Sequence, residues 1–516
     1  DPQGVRPHLI DINAIVLEGK LQVDWLYSSN LHRTTTIEQW VSDFKKNLLE
    51  ILELCLDLGV SEYTPTDFPL IKIPQSKLDI IQNQYPWIED IYPLSPLQEG
   101  MLFHAIYEPE EGIYFEQVIG KIIGKLDADN FAHAWQVVVD RHSILRTCFV
   151  WEEQEEPLQI VNKQTTFSVT CMDWRNLSQE LQLERVQEYL IADKQEGFSL
   201  SQNPLMRVTL IRLNDDTWQW LWSHHHIILD GWSLPVIFKE VLTIYQWINQ
   251  NSQRVTGERA TNTLPPAVPY RHYIQWLRSR DQQKAQQFWR KYLAGLSTVT
   301  RLAWNTHDLE TNPGLPAYQE IELKLTESEF ALVQKMAQSW RVTINTITQG
   351  AWAICLQKHG AGEDVVFGVT VSGRPPELPE MENMVGLFIN TLPMRVKIDP
   401  TLSVANWLQN IQQHHLEMRD YEYSKLADIQ KDCNLAGSAL FESLLVFENY
   451  PVDQSLRGKL GDFQVEDIQF YERTNYPLTV GVIPNQGILL KLNYQTSFLS
   501  RGAAEKLISR FRNIIV

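Results

Sequence analysis

From Ile88 onward, apolar and polar positions switch between a period of two and a period near 3.6, so strands and helices are predicted in mixed succession. FEQVIGKIIGKL (115–126) reads as a strand. LDADNFAHAWQVVVDRH (126–142) reads as a helix with Asp127 or Asp129 near its start, and LRTCFVWEE (145–153) as another strand. Beyond about Tyr270 the mixture repeats, with helices expected near 281–294 and 326–340 and strands near 364–370 and 391–397. Mixed α/β is the fold class these patterns support.

A longer pattern recurs. Residues 20–48 laid over 487–515, at an offset of 467, share a strand, a polar turn and an amphipathic helix. Tyr27 falls on Tyr494, Glu38 on Glu505, Ser42 on Ser509 and Phe44 on Phe511. Ile37, Trp40, Val41, Phe44 and Leu48 form an apolar helical stripe whose spacing Ala504, Leu507, Ile508, Phe511 and Ile515 repeat. If the second copy closes the chain, the first closes an earlier, related domain, and residues 1–60 are expected to be its tail. SEYTPTDFPLIKIP (61–74), with its prolines and turn formers, has a linker's composition, so 61–87 is expected to connect that tail to a domain starting at Ile88.

The most unusual local pattern is WQWLWSHHHIILDGWS, residues 218–233. Strand alternation puts Trp218, Trp220, Trp222, His224 and His226 on one face, with Leu221, Ser223 and His225 on the other. His226 should end the strand, Asp230 and Gly231 should make a turn, and Ser233 should cap a helix burying Ile237, Val241, Leu242 and Tyr245. A histidine at a strand end with a carboxylate four residues later suits proton handling near neutral pH. Acyl transfer from a thioester to an amine needs little more: a deprotonated amine, a stabilised oxyanion and alignment. Metal binding and a purely structural cluster are the competing readings, although adjacent strand residues point apart and no carboxylate or cysteine spacing completes a metal set. A second pair, His414 and His415 in HHLEMRD, lacks a glycine after Asp420 and reads as a solvated helix face.

Composition narrows the classes. With 45 basic and 63 acidic residues the net charge is −18, which opposes a broad nucleic-acid or anionic-membrane surface. Five scattered cysteines without a CxxC pair suggest neither a disulfide framework nor a zinc site and fit a reducing cytoplasm. No apolar run approaches the roughly 18 residues of a membrane span. The first residue is not Met, which points to a piece of something longer.

His225, His226, Asp230 and Gly231 reproduce the HHxxxDG motif, and here the sequence resembles the condensation-domain superfamily of non-ribosomal peptide synthetases. YPLSPLQEGMLFH (92–104), RHSILRT (141–147), YRHYIQWL (270–277), VSGRP (371–375), VGLFINTLPMRV (385–396) and LFESLLVFENYP (440–451) look like the family's successive motifs, in order. The resemblance implies two chloramphenicol-acetyltransferase-like lobes, here 88–269 and 270–516, in a V-shaped pseudo-dimer with a central tunnel. Two phosphopantetheine arms of donor and acceptor carrier proteins would enter it, and the domain would need no cofactor of its own. By the same resemblance His226 is the principal catalytic candidate, as general base or as an orienting and stabilising group. Asp230 would be structural, paired with Arg374 in VSGRP or else with Arg146. Gly231, Trp232, Ser233 and Asn390 would face the tunnel or its substrates.

Trp232–Pro235 replace the VSWR-like continuation of epimerisation domains, and the DxxxxD of heterocyclisation domains is absent, so condensation fits best. The tail RPHLIDINAIVLEGKLQVDWLYSSNLH resembles the end of an epimerisation domain, and SPLQEGMLFH, LLVFENYP and RTNYPLT resemble condensation domains that take a D-donor and an L-acceptor. Neighbouring adenylation and epimerisation domains are the implied partners. A non-catalytic recruitment module, an epimerase and a free-standing acyltransferase are the alternatives.

Overall fold

The structure is a computed structural model that describes residues 8–17, 19–57, 63–107, 112–251, 261, 264–296, 299–302, 317–433, 439–449, 458–460, 463–485 and 487–516. The first residues of the expected tail, Ser61 and Glu62 of the expected linker, and Tyr450 and Pro451 of the last motif lie outside them. The chain divides into two units, Asp1–Pro86 and Trp87–Val516.

In the first unit Ile10–Leu17 pairs antiparallel with Lys20–Tyr27, and the helix Thr34–Asp57 follows. In the second unit Leu478–Asn485, Gly487–Gln495 and the helix Arg501–Ile515 take the same order. The sequence offset aligns Lys20 with Gly487 and Thr34 with Arg501, so the repeat is a structural one. Burial separates the copies. Ala504, Leu507, Ile508, Phe511 and Ile515 are all buried, whereas of the first stripe only Ile37 is, and Trp40, Val41 and Phe44 are exposed. The expected linker is not a plain tether. It holds a helix, Gln75–Gln84, because Leu78 and Ile81 stand one turn apart and are both buried.

Among the described residues the second unit contains two six-stranded sheets and a three-stranded one. The first sheet runs Gly458–Leu460, Phe463–Tyr471, Phe115–Gly124, Thr217–His225, Met206–Arg212, Val169–Asp173. The second runs Tyr318–Lys324, Gly487–Gln495, Leu478–Asn485, Ser443–Phe447, Asp364–Val371, Asn390–Lys397. A division at residue 270 therefore does not describe the sheets: Gly458–Leu460 and Phe463–Tyr471, late in the chain, complete the first one. At its middle, Phe115–Gly124 and Thr217–His225 are buried over most of both faces, which is why tryptophan and histidine can follow one another there without a polar face. The helix Ala128–Arg141 begins at Asp127, whose side chain accepts the N–H of Asn130 at 3.0 Å. No helix among the described residues is long and apolar enough to cross a membrane.

Candidate active site

The strand Thr217–His225 leads to a cavity of about 1890 Å³ in the second unit. Contrary to the alternation argument, the strand stops at His225, and His226 opens a short 3-10 turn, His226–Ile228. The His226 N–H still donates to the carbonyl of Tyr114, opposite it in the ladder, at 2.8 Å; the chain turns at the next residue, where the Ile227 N–H donates to Nδ1 of His225 at 3.1 Å. A ring nitrogen that accepts carries no proton, and burial followed by the nearby His226 pushes His225 down to about 3. His225 is a neutral ring that holds the turn. Gln98, fully buried, fastens the same turn by donating to the Ile227 carbonyl at 2.9 Å.

The His226 ring is arranged differently. Its Nδ1 lies 2.6 Å from the Leu229 carbonyl, which only accepts, so Nδ1 bears a proton and Nε2 is the nitrogen that gains or loses one. The ring lines the cavity, and Oε1 of Glu116 stands 3.3 Å from Nε2. Glu116 is directly opposite His224 in the ladder, with Oε2 3.4 Å from His224 Nε2. Burial, with smaller contributions from Glu448 and Asp230, holds Glu116 well above the usual carboxylate range, and burial pushes His224 down to about 3.

Asp230 turns away from the cavity into a fully buried network. Its Oδ1 accepts from the N–H and Oγ of Ser233 and from Arg374 Nη2, at 3.0, 2.8 and 3.0 Å, and its Oδ2 accepts the Phe388 N–H at 3.1 Å. Arg374 also donates to the carbonyls of Met381 and Met384 and lies over the Phe388 ring, 4.2 Å from its centroid. This arrangement joins the HHxxxDG turn to the VSGRP and VGLFINTLPMRV segments. Gly373 permits the closure: its φ is +58°, and a Cβ there would come within 1.8 Å of the Phe388 carbonyl oxygen. Arg146 is elsewhere, paired with Glu89 at 2.7 Å and donating to the carbonyls of Val139 and Asn162.

Of the expected site residues, His226, Gly231, Trp232 and Asn390 line the cavity, and His225, Asp230, Ser233 and Arg374 do not. Ser233 is corrected twice. It is neither at the cavity nor a cap, because Asp230 receives its N–H and the Ser233 Oγ is taken up by Asp230 and by the Gly386 carbonyl at 2.9 Å. Asn390 donates to the carbonyls of Glu422 and Ser424, both at 2.7 Å. The pair His414 and His415 is also corrected in part. Both sit on the helix Val404–Met418, but His415 lines the cavity, and its Nδ1 is 3.2 Å from Gln349 Nε2. The sequence pattern singles out neither Glu116 nor Glu422. Glu422 lines the cavity, and burial pushes it up to about 7 against the Gly373 N–H and Arg419, which act the other way.

A family model described as "Condensation domain" matches residues 88–516. The chain is 40% identical over 515 residues to one of the linear gramicidin synthase polypeptides of Brevibacillus parabrevis, covering 99% of this chain and 6% of that protein. It is 34% identical over 547 residues to a chondramide synthase of Chondromyces crocatus, covering 97% of this chain and 14% of that protein. The chain thus spans only a small part of the length of these curated relatives. Among solved structures, the starter condensation domain of rhizomide synthetase, a double mutant in complex with C8-CoA and Leu-SNAC, matches with a TM-score of 0.67 at 18% identity. That match covers 82% of this chain and 93% of that one. The condensation domain of the Monacolin K polyketide synthase matches with a TM-score of 0.68 at 16% identity, over 83% of this chain and 97% of that one. At these identities the likeness is one of fold: mixed α/β with two acetyltransferase-like lobes.

Proposed function

The chain belongs to the condensation-domain family, whose members in non-ribosomal peptide synthetases form amide bonds by acyl transfer, and we propose that it joins two thioesters held on separate carrier proteins. The donor is an aminoacyl or peptidyl group, the acceptor an L-aminoacyl group, and both arrive on phosphopantetheine arms. The observation that carries this reading is the setting of His226. Its Nδ1 donates to the Leu229 carbonyl, so the nitrogen left for proton exchange, Nε2, is the one at the cavity, beside Glu116, Gly231 and Trp232. Such a nitrogen takes the proton that the acceptor amine loses as it attacks the donor carbonyl, or orients the amine and steadies the charged intermediate. Asp230 and Arg374 act through the backbone: they hold the turn that aims the ring and touch no substrate. The cavity has the volume for two arms, and aligning the reactants there supplies much of the acceleration.

The donor's last residue is proposed to be D-configured. Support comes from the sequence forms around Gln98 and Phe447 and from the tail, read as the end of a preceding epimerisation domain. A hairpin and helix that repeat Leu478–Ile515 but leave Trp40, Val41 and Phe44 exposed suit an element whose own sheet belongs to another body. On this reading adenylation and epimerisation domains are neighbours. The test is a competition: carriers loaded with D- and L-donor are mixed with one acceptor carrier and the chain. Dipeptidyl-carrier is then detected by intact mass, and the released dipeptide is resolved on a chiral column. The expected product is mainly the D,L-dipeptide; equal turnover or an L,L excess removes the stereochemical claim, and no dipeptide at all removes the function.

A further inference from the structure

The carboxylate in contact with the His226 ring comes from a strand that carries none of the histidine motif. Phe115–Gly124 pairs with Thr217–His225 in a register that sets Phe115 opposite His225 and Glu116 opposite His224. His226 still donates to the carbonyl of Tyr114, which is opposite it in the same register, so His224 and His226, two residues apart on one face, both reach this carboxylate. Glu116 therefore stands beside both rings, its oxygens 3.4 Å from His224 Nε2 and 3.3 Å from His226 Nε2, with 6% of its surface exposed at the cavity wall. We infer that Glu116 is a positioning residue for His226: its carboxyl stands against Nε2, and its ionisation stabilises the imidazolium that forms there. This deepens the reading of His226 as the reacting histidine and rests on it.

The chemistry follows from where protons can sit. Nδ1 of His226 is committed to the Leu229 carbonyl, so every proton that the ring gains or loses during acyl transfer is on Nε2, and Glu116 Oε1 is the protein oxygen facing it. The ring takes a proton on Nε2 only when that nitrogen's lone pair is free. As the acceptor's neutral amine attacks the donor carbonyl, the C–N bond forms, the amine nitrogen's proton passes to Nε2, and an ionised Glu116 stabilises the imidazolium. The C–S bond to the donor arm then breaks, and the departing thiolate takes that proton from Nε2, which returns the ring to its starting state. Nothing is oxidised or reduced. The titratable groups around the pair are His224 and His225 on their strand, Asp230 in the turn, Glu448 after Ser443–Phe447 and Glu472 after Phe463–Tyr471. The carboxyls disfavour further negative charge, and the neutral imidazoles of His224 and His225 supply no compensating cation, so Glu116 ionises most readily when the His226 ring is charged.

Glu116→Gln keeps size and polarity but removes the charge. The single-turnover rate of dipeptidyl-carrier formation is expected to fall roughly 10- to 100-fold, less than removal of an acid–base group itself commonly costs. The acid limb of the pH–rate profile distinguishes relay from scaffold. An ionised carboxylate favours imidazolium and so raises the pH at which Nε2 becomes free; in Glu116→Gln the limb must move to lower pH. A lowered rate with the limb in place, or an unchanged rate and limb, overturns the inference. A second measurement needs neither variant folding nor activity. In wild-type chain labelled with 13Cε1-histidine, the His226 resonance, assigned by its loss in His226→Asn, is followed against pH. A two-step or broadened titration is expected from a coupled pair, and a simple one-proton curve overturns the inference. If wild-type chain forms no dipeptide, the functional reading fails, yet this titration still decides whether the charges on Glu116 and His226 are coupled.

Discussion

Asp230 and His226 are four residues apart and do opposite work. One is buried completely and satisfied by Ser233, Arg374 and the Phe388 N–H; the other turns its Nε2 to a cavity. Removing one partner of a buried ion pair strands the other, at roughly 3–5 kcal/mol, so Asp230→Ala should lower stability far more than it alters substrate binding. The partner is identified by a double-mutant cycle in denaturant. Asp230→Asn with Arg374→Met should show a coupling of roughly 1–3 kcal/mol, whereas Asp230→Asn with Arg146→Met should be additive to within about 0.5 kcal/mol. Additivity for Arg374 and coupling for Arg146 would contradict the network. Arg374 and Arg146 are chemically alike, and the choice between them required knowing that Gly373 lets VSGRP close against Phe388 while Glu89 and two carbonyls occupy Arg146.

Elements explain what was legible beforehand. The helix Ala128–Arg141, the helices Gln282–Tyr292 and Glu327–Trp340, and the strands Asp364–Val371 and Asn390–Lys397 fall where periodicity predicts them, because each has a local signal of spacing or cap. The histidine strand was legible too, to within its last residue. Phe115–Gly124 was legible as a strand but not as part of the site. Buried over nearly its whole length, it shows no polar face against which Glu116 would stand out, and only its register with Thr217–His225 brings that carboxylate to His226. The late strand Phe463–Tyr471 joins the first sheet through pairing with Phe115–Gly124, a long-range choice that no local pattern encodes. The internal repeat gives an element-scale test. Leu507 and Trp40 occupy equivalent positions, yet Leu507 is 1% exposed and Trp40 44%. Leu507→Ala should cost about 2–5 kcal/mol as a core deletion, and Trp40→Ala well under 1 kcal/mol, measured by denaturant unfolding. Equal costs would contradict the difference in burial between the two copies.

At the scale of the whole molecule, late strands complete an early sheet, and the Asp230–Arg374 network ties the histidine turn to segments more than 140 residues away. The cavity is lined from both halves of the chain, by His226, Gly231 and Trp232 from one and Asn390, His415 and Glu422 from the other. Such a site suits a reaction whose demand is to hold two large, tethered reactants in line, with one ring to manage a proton. That ring is the centre of the proposed chemistry. Its most direct test is the single-turnover rate of dipeptidyl-carrier formation from two loaded carriers, compared between the wild-type chain and a His226→Ala variant whose melting temperature matches it. A fall of roughly 10²- to 10⁴-fold, as for loss of an acid–base group, is the predicted result; an undiminished rate in the folded variant would contradict it.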